Sequence, residues 1–476
     1  MKHIVIGALA LFITSPFSAI AQKQSVIRLA EINGRAWLVT PEGKPFFAHG
    51  ITHLSNQRAK IDLASISKAC KEMGFNAYGY GCPEQLRSDM PYVESWNHLV
   101  PISYYRGQNG VRFVDVFDPK VQARLDAGVK ANCFRSQKNP NAIGYCWTDL
   151  GSWPLKNPSG RNWVDFMRNL PEEAPGRKAY QEFLSEWKGD NAMARDKAFL
   201  RLIAREYFRV IGGAQRKYDP DHLVFGDRFA FNTLVPEVLE EMLPYVDGIA
   251  IQPSFWGPFP KKKFDEIHEL TGKPIILCDF AIRFKDGDKD VRMWKLEDDS
   301  VAAGKAYSDY VKAALKTDYV VGVFWCNPVD TPKGFGKSGV KQGFFGNGLT
   351  PRPGLSEAVI ALNRHIAQIT PGNSGATKAN EAPKELPHPS PTKKSAPGIV
   401  DDMFASLKLT TEQQAKFEEQ EKDHRAARAR FRELKGEELR RAQNAFYGER
   451  KKRLRKIFTE EQWAIWSKFW KRAQNR

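Results

Sequence analysis

From Phe46 to Trp325 the chain repeats one alternation: a short apolar run rich in β-branched and aromatic residues, then a stretch of helical period. Strands that are apolar on both faces and joined by helices belong to parallel sheets, because the helices cover the sheet faces that antiparallel sheets leave to water. Eight such runs are countable: Phe46–Ile51, Phe75–Tyr80, one within Leu99–Tyr104, Ala142–Trp147, Leu223–Gly226, Gly248–Gln252, Pro274–Cys278 and Val320–Trp325. Helical stretches near Asp62–Met73, Lys120–Asn132, Phe199–Tyr218, Pro236–Leu243, Lys263–Leu270, Val301–Leu315 and Leu355–Ile366 accompany them. No glycine-rich phosphate turn follows the first run, so a closed α/β (β/α)8 TIM barrel is expected in place of an open doubly wound sheet. A hairpin over Val26–Val39, turning at Asn33-Gly34, precedes it. The long insertion Leu150–Ala198, with Trp153, Trp163 and Trp187, is expected to roof the top face.

The ends divide the chain further. Residues 1–21 carry Lys2 and His3, an apolar run Ile4–Phe17 and the small-residue site Ala19-Ile20-Ala21, the three parts of an export signal. A secreted or periplasmic protein is therefore expected, with the barrel over residues 22–369. Residues 370–397 are rich in Pro, Ser, Ala, Lys and Asn without apolar period and are expected to be a disordered linker. Residues 398–476 form a basic helical domain. The net charge of +17 selects no partner by itself. An exported chain meets polysaccharides and anionic surfaces, and no nucleic acid is expected. Cys146, Cys278 and Cys326 lie in or at the end of apolar runs, as buried thiols do, while Cys70 with Cys82 or Cys133 with Cys146 are candidate pairs. No cysteine or histidine spacing proposes a metal site, and no cofactor is expected.

In a barrel of this kind the reacting groups stand where strands end at the C-terminal face. The polar residues closing the apolar runs are Asp149 on the fourth, Asp227 and Arg228 on the fifth, Gln252 on the sixth, Asp279 on the seventh and Asn327 after the eighth. Asp149 and Asp279 thus project from opposite sides of the mouth. Two carboxyls flanking one bond are what glycosidic cleavage needs: one protonates the leaving oxygen, the other attacks the anomeric carbon or activates water. A capping or solvated aspartate is the plainer reading of either one alone. Tyr78, Tyr80, Trp147, Trp153, Trp256 and Trp325 are candidates to stack on sugar rings, against a core role for each. Asn76, Asp227, Arg228, Gln252 and Gln342 are candidates to bind hydroxyls. His49 and His53 close the first strand at a spacing of four, read as substrate contacts or a satisfied buried pair, since no third metal ligand accompanies them.

The series Gly34-Arg35-Ala36-Trp37-Leu38-Val39-Thr40-Pro41-Glu42-Gly43-Lys44-Pro45-Phe46-Phe47, with Ile143-Gly144-Tyr145 and Gly272-Lys273-Pro274-Ile275-Ile276, resembles barrel glycoside hydrolases of the retaining clan, agarase-type proteins above all. The resemblance spans Ile27 to Ile369. It implies a polysaccharide or oligosaccharide substrate, Asp149 as acid/base and Asp279 as nucleophile. Both positions depart from the clan, which carries Asn-Glu at the first and Glu at the second. Shorter side chains widen the gap between carboxyls, which leaves open an inverting mechanism or sugar binding without hydrolysis. The alternative function is accordingly a non-catalytic carbohydrate-binding barrel coupled to an envelope-associated helical module.

In that module Leu409-Thr410-Thr411-Glu412-Gln413 and Phe458-Thr459-Glu460-Glu461-Gln462 repeat a threonine with glutamine three residues on, a capping box at each of two helix starts. Ala415–Phe446 reads as one long charged helix, and Trp463, Trp466, Phe469 and Trp470 as the stripe that closes a helical hairpin. The paired motif resembles small periplasmic proteins built on Leu-Thr-x-x-Gln. The run Arg450–Lys456 is either a grip for an anionic glycan or envelope surface, or a solvated helix face.

Overall fold

The computed structural model describes residues 26–54, 62–95, 113–149, 153, 155, 162–231, 234–253, 257–285, 296–330, 341–346, 349–372, 384–386, and, toward the C-terminus, 410, 412–413, 416, 420, 423, 427 and 436–463. The export signal lies outside them.

The chain opens with a hairpin, β1 (Arg28–Ile32) and β2 (Arg35–Val39), in the register Ile32↔Arg35. Its turn is where the sequence put it: Asn33 and Gly34 both take positive φ, 53° and 73°, as a two-residue turn matched to strand twist requires. β3 (Pro45–Phe46) pairs antiparallel with β2. Phe46 therefore belongs to this sheet and not to the first barrel strand. On its inner side the sheet contributes Leu29, Ala36 and Leu38 to the same apolar cluster as the barrel interior residues Ala48, Ala77, Val93, Ile143 and Ile276. Ala36 N–H also donates to the Asp318 carbonyl, at 2.8 Å, just before the last barrel strand begins. The sheet thus plugs the N-terminal mouth and leaves the C-terminal rim for the site.

The barrel is closed and wholly parallel: β4 (Ala48–Ile51), β5 (Ala77–Tyr78), β6 (Tyr92–Ser95), β7 (Ala142–Asp149), β8 (Leu223–Phe229), β9 (Ile249–Ile251), β10 (Ile275–Phe280) and β11 (Val320–Trp325), with β11 pairing β4. This is the expected (β/α)8 fold. One strand differs. The third is Tyr92–Ser95, while Leu99–Tyr104 lies outside the described residues. The short run Tyr-Val-Glu-Ser carries a buried charge, which hides it from a count of apolar runs. Glu94 is neutralised by Arg87 at 2.8 Å and accepts from Ser136 Oγ at 2.7 Å.

Around the barrel run α1 (Leu63–Glu72), α2 (Pro119–Ser136), α3 (Trp163–Arg168), α4 (Pro175–Glu186), α5 (Ala192–Tyr218), α6 (Pro236–Met242), α7 (Lys261–Thr271), α8 (Ser300–Leu315) and α9 (Leu355–Ile369). Their starts are written in the sequence as short polar caps: Asp62, Asp118, Asn191 and Asp299 each accept a backbone N–H of the first turn. α7 ends on Gly272 in the left-handed region. Within the insertion after β7, Trp153 stacks on Trp163 with ring centres 5.1 Å apart and packs against Tyr207 and Phe208 of α5. That part of the insertion is core; Trp153 offers no face to a ligand. The expected disulfide candidates are also corrected. All six cysteines are free, and burial pushes the Cys70, Cys82 and Cys133 thiols up to about 12.

The stretch read as a linker is not solvated throughout. β12 (Lys384–Glu385) adds antiparallel to β1, and Leu386 N–H bonds the Leu29 carbonyl at 3.2 Å while its side chain joins the plugging cluster. Beyond it, both capping boxes form: Gln413 N–H bonds Thr410 Oγ1 and Gln462 N–H bonds Thr459 Oγ1, each at 3.2 Å. The two glutamines also reach each other, Gln413 Nε2 to Gln462 Oε1 at 3.0 Å. α10 (Gly436–Ile457) carries the basic run, with Leu454 buried and Lys451, Lys452, Arg453 and Arg455 exposed. Most of the expected long helix Ala415–Phe446 and of the tryptophan stripe lies outside the described residues.

Strand crossings in a barrel this tight need glycine. A Cβ on Gly50 of β4 would sit 2.3 Å from the Ala77 carbonyl oxygen and 2.7 Å from the Phe324 ring. Because the first of those atoms is backbone, the clash has no cheap relief. Gly50→Ala is expected to destabilise the fold by about 1–3 kcal/mol or more, read as a lower midpoint in chemical denaturation.

Candidate active site

The C-terminal rim gathers polar side chains from seven strands around Asp279, the residue before the last of β10. Its carboxylate is almost wholly buried, accepts the Tyr80 hydroxyl, and accepts Gln252 Nε2 at 2.9 Å. Tyr80 follows β5 by two residues and Gln252 directly follows β9, so two distant loops fix one carboxylate. His53, after β4, sets Nε2 3.9 Å from the same Asp279 oxygen and 2.9 Å from the Tyr80 hydroxyl, edge-on to that ring. Its side chain is 41% exposed, which marks the way in from solvent.

Arg228 of β8 is fully buried. Its guanidinium lies over the Tyr80 ring, 3.6 Å from the ring centre, and Nη1 donates to Ser95 Oγ of β6 at 2.9 Å. On the far side Cys326, directly after β11, brings its thiol to Asp279. Burial first, then the neighbouring carboxylate, pushes that thiol well above its ordinary range, so it stands as S–H. Behind it Gln342 donates to the Cys326 carbonyl and accepts Arg283 Nε at 3.0 Å. The arrangement is a carboxylate oriented by two donors, beside an imidazole and a buried guanidinium. It suits a base or nucleophile acting on a polar molecule that enters along His53. Asp149, the other expected carboxylate, ends β7 with its backbone opposite Arg228 in the ladder; its side chain lies outside what is described.

Several expected contacts sit elsewhere, and the strand pleat explains them. Successive side chains alternate faces, so a polar or aromatic residue closing a strand turns to the helices as readily as to the mouth. Trp147 packs on Phe208 of α5, and Trp325 packs on Tyr307 and Phe344 while its indole N–H bonds the Gln342 carbonyl at 3.0 Å. The Tyr78 hydroxyl meets Ser67 of α1 at 2.7 Å. His49 is enclosed, held by Asn363 and Tyr307, and burial lowers it to about 4, so it is neutral at ordinary pH. Asn76 ties β4, accepting His49 N–H at 2.8 Å and donating to the Phe47 carbonyl at 2.9 Å. Gln342 is spent on backing Cys326. These six are structural; Trp256 lies outside the described residues. Of the expected site residues, His53, Arg228, Gln252 and Asp279 meet. Sequence reasoning missed Ser95, whose strand it misplaced, and Tyr80 as a hydrogen-bond donor to Asp279.

Asp227 is the remaining correction. It points away from the mouth, fully buried between β8 and α5, and burial raises its carboxyl to about 7, partly offset by Thr148 and Trp153. A carboxyl that titrates near 3.8 unfolded and near 7 folded keeps its proton on folding, so stability is fully present below the unfolded value and falls as pH rises toward 7. Asp227→Asn is expected to flatten that fall, gaining on the unaltered chain by up to about 1.4 kcal/mol per pH unit across the window. Denaturation midpoints of both proteins at pH 5 and pH 8 measure it; an equal fall in both contradicts the assignment.

A closed parallel barrel with its polar side chains converging at the C-terminal rim defines a (β/α)8 protein of the kind that carries its chemistry on strand-end loops. Within that class the agarase-type resemblance is borne out. The chain is 26% identical over 225 residues to beta-agarase B of Vibrio sp. (strain JT0107), a match covering 46% of this chain and 22% of that one. Its fold matches those of solved structures of an exo-beta-agarase (TM-score 0.61, 19% identity, 72% of this chain and 65% of that) and of the agarase AgWH50C (TM-score 0.60, 18% identity, 72% and 64%). It also matches BpGH50 (TM-score 0.56, 19% identity, 73% and 84%). The chain spans about a fifth of the length of the curated relative. No family model matches it.

Proposed function

We propose that the chain is an exported glycoside hydrolase that cleaves an agar-type polysaccharide or its oligosaccharides with Asp149 and Asp279 as the working pair. The observation that carries this reading is the carboxylate closing the seventh barrel strand, oriented by Tyr80 and Gln252 at the open rim. Similarity to a beta-agarase supports the substrate class. In the reaction Asp149 gives its proton to the glycosidic oxygen as the bond from that oxygen to the anomeric carbon breaks. Asp279 either attacks the anomeric carbon or takes a proton from the water that does. The first route passes through a glycosyl ester that water then hydrolyses. The second inverts in one step. Carboxyls about 5–5.5 Å apart serve the former and about 6.5–9.5 Å the latter. Arg228, behind Tyr80, offsets the charge of Asp279, while His53 at the exposed edge meets sugar hydroxyls.

Export rests on the signal pattern of residues 1–21. The exposed lysines and arginines of α10 support a docking role toward an anionic glycan or envelope surface. Retention of the full chain on a sulfated polysaccharide is then expected to fall steeply as ionic strength rises; salt-insensitive retention speaks for a different contact.

A second reading, sugar binding without hydrolysis, draws on the shortness of Asp279 and its 2% exposure. Release of reducing sugar from agarose and agaro-oligosaccharides separates the two. Asp149→Asn and Asp279→Asn are each expected to lower kcat/KM by about 10²–10⁴-fold while oligosaccharide binding persists. Hydrolysis unchanged by both substitutions removes the pair from the mechanism, and an unaltered chain that binds but cleaves nothing favours the second reading.

A further inference from the structure

The geometry points to a binding site for a thiophilic divalent cation of the zinc class, formed by His53 Nε2, the Asp279 carboxylate and Cys326 Sγ at the floor of the barrel mouth. One ligand atom from each lies within 4.8 Å of the other two. Tetrahedral zinc, with bonds of about 2.0–2.3 Å, holds its ligand atoms about 3.3–3.6 Å apart, so His53 Nε2, 3.9 Å from Asp279 Oδ2, has to draw in toward the other two. The group that moves is His53. It lies in the loop after β4, with its side chain 41% exposed, whereas Asp279 and Cys326 are fixed at the ends of neighbouring strands by the 2.9 Å bond from Cys326 N–H to the Phe280 carbonyl.

The donor set decides the ion. Calcium and magnesium take oxygen ligands, while one sulfur, one imidazole and one carboxylate select zinc or cobalt. The carboxylate and thiolate together balance the charge of the ion, and binding releases the thiol proton to solvent. The second layer is already built, since Tyr80 and Gln252 orient Asp279 and Gln342 braces the Cys326 backbone. Neither histidine spacing nor cysteine spacing reveals such a site, because the three ligands come from strands one, seven and eight.

The ion caps the carboxylate that the hydrolase reading uses, so zinc is expected to block turnover and a chelator to restore it; only this consequence rests on that reading. The site itself is tested by titrating the chelator-treated full chain with cobalt(II). The expected result is one equivalent bound, a near-ultraviolet thiolate-to-cobalt absorption band, and displacement by zinc. Cys326→Ser removes the band with circular dichroism unchanged, and His53→Ala weakens binding by about tenfold or more. A silent unaltered chain, or a band undiminished in Cys326→Ser, overturns the proposal. Should Cys326→Ser fail to fold, His53→Ala still decides, because unchanged cobalt affinity in that variant overturns it equally. Sugar release measured in chelator keeps the questions apart: cobalt binding without hydrolysis contradicts the hydrolase reading alone, and hydrolysis without cobalt binding contradicts the cation site alone.

Discussion

Closure of the sheet on itself, β11 hydrogen-bonded to β4 in the register Gly322↔Ala48 through Trp325↔Ile51, is the constraint from which the rest follows. Residues some 270 positions apart become neighbours, and the ends of eight strands are forced onto one ring. Closure this tight sets what the interior holds. Gly50, Gly144 and Gly322 leave no room for a side chain against the adjacent strand, and Ala48, Ala77 and Ala250 fill the space beside them. The N-terminal sheet then seals one mouth, so polar chemistry is confined to the other.

At that open rim two kinds of burial meet. Asp279 and Arg228 are both buried and both engage Tyr80, the carboxylate accepting a hydrogen bond from its hydroxyl and the guanidinium lying on its face. One layer outward, burial shifts titratable groups toward their neutral forms. His49 is lowered to about 4 and Asp227 raised to about 7 by burial among helices. The pleat therefore divides the strand-end residues between the mouth, where Arg228 and Asp279 meet, and the helix layer, where burial favours the neutral forms of His49 and Asp227.

That sorting explains what the sequence disclosed. The alternation of apolar runs and helical stretches gave the barrel, and residue-level capping and turn signals such as Asn33-Gly34 and Thr410 with Gln413 were legible because they act within a few residues. Orientation was not. Trp147, Asp227 and Trp325 close strands just as Arg228, Gln252 and Asp279 do, and only the pleat phase, shifted by irregular pairing near Cys146 and between Leu277 and Phe280, separates core from site. The third strand escaped because Glu94 interrupts its apolar character and is neutralised by Arg87 from outside the run. Leu386 was hidden in a proline-rich stretch whose composition says nothing of the one leucine that completes the plug.

The central claim is that two carboxylates, one closing β7 and one closing β10, face each other across the mouth over a single bond. A crystal structure of the chain with an agaro-oligosaccharide tests it most directly. The account predicts one glycosidic oxygen between the Asp149 and Asp279 carboxyls, with the two groups about 5–9.5 Å apart. A sugar seated away from Asp279, or an Asp149 carboxyl turned out of the mouth and well beyond that separation, contradicts it.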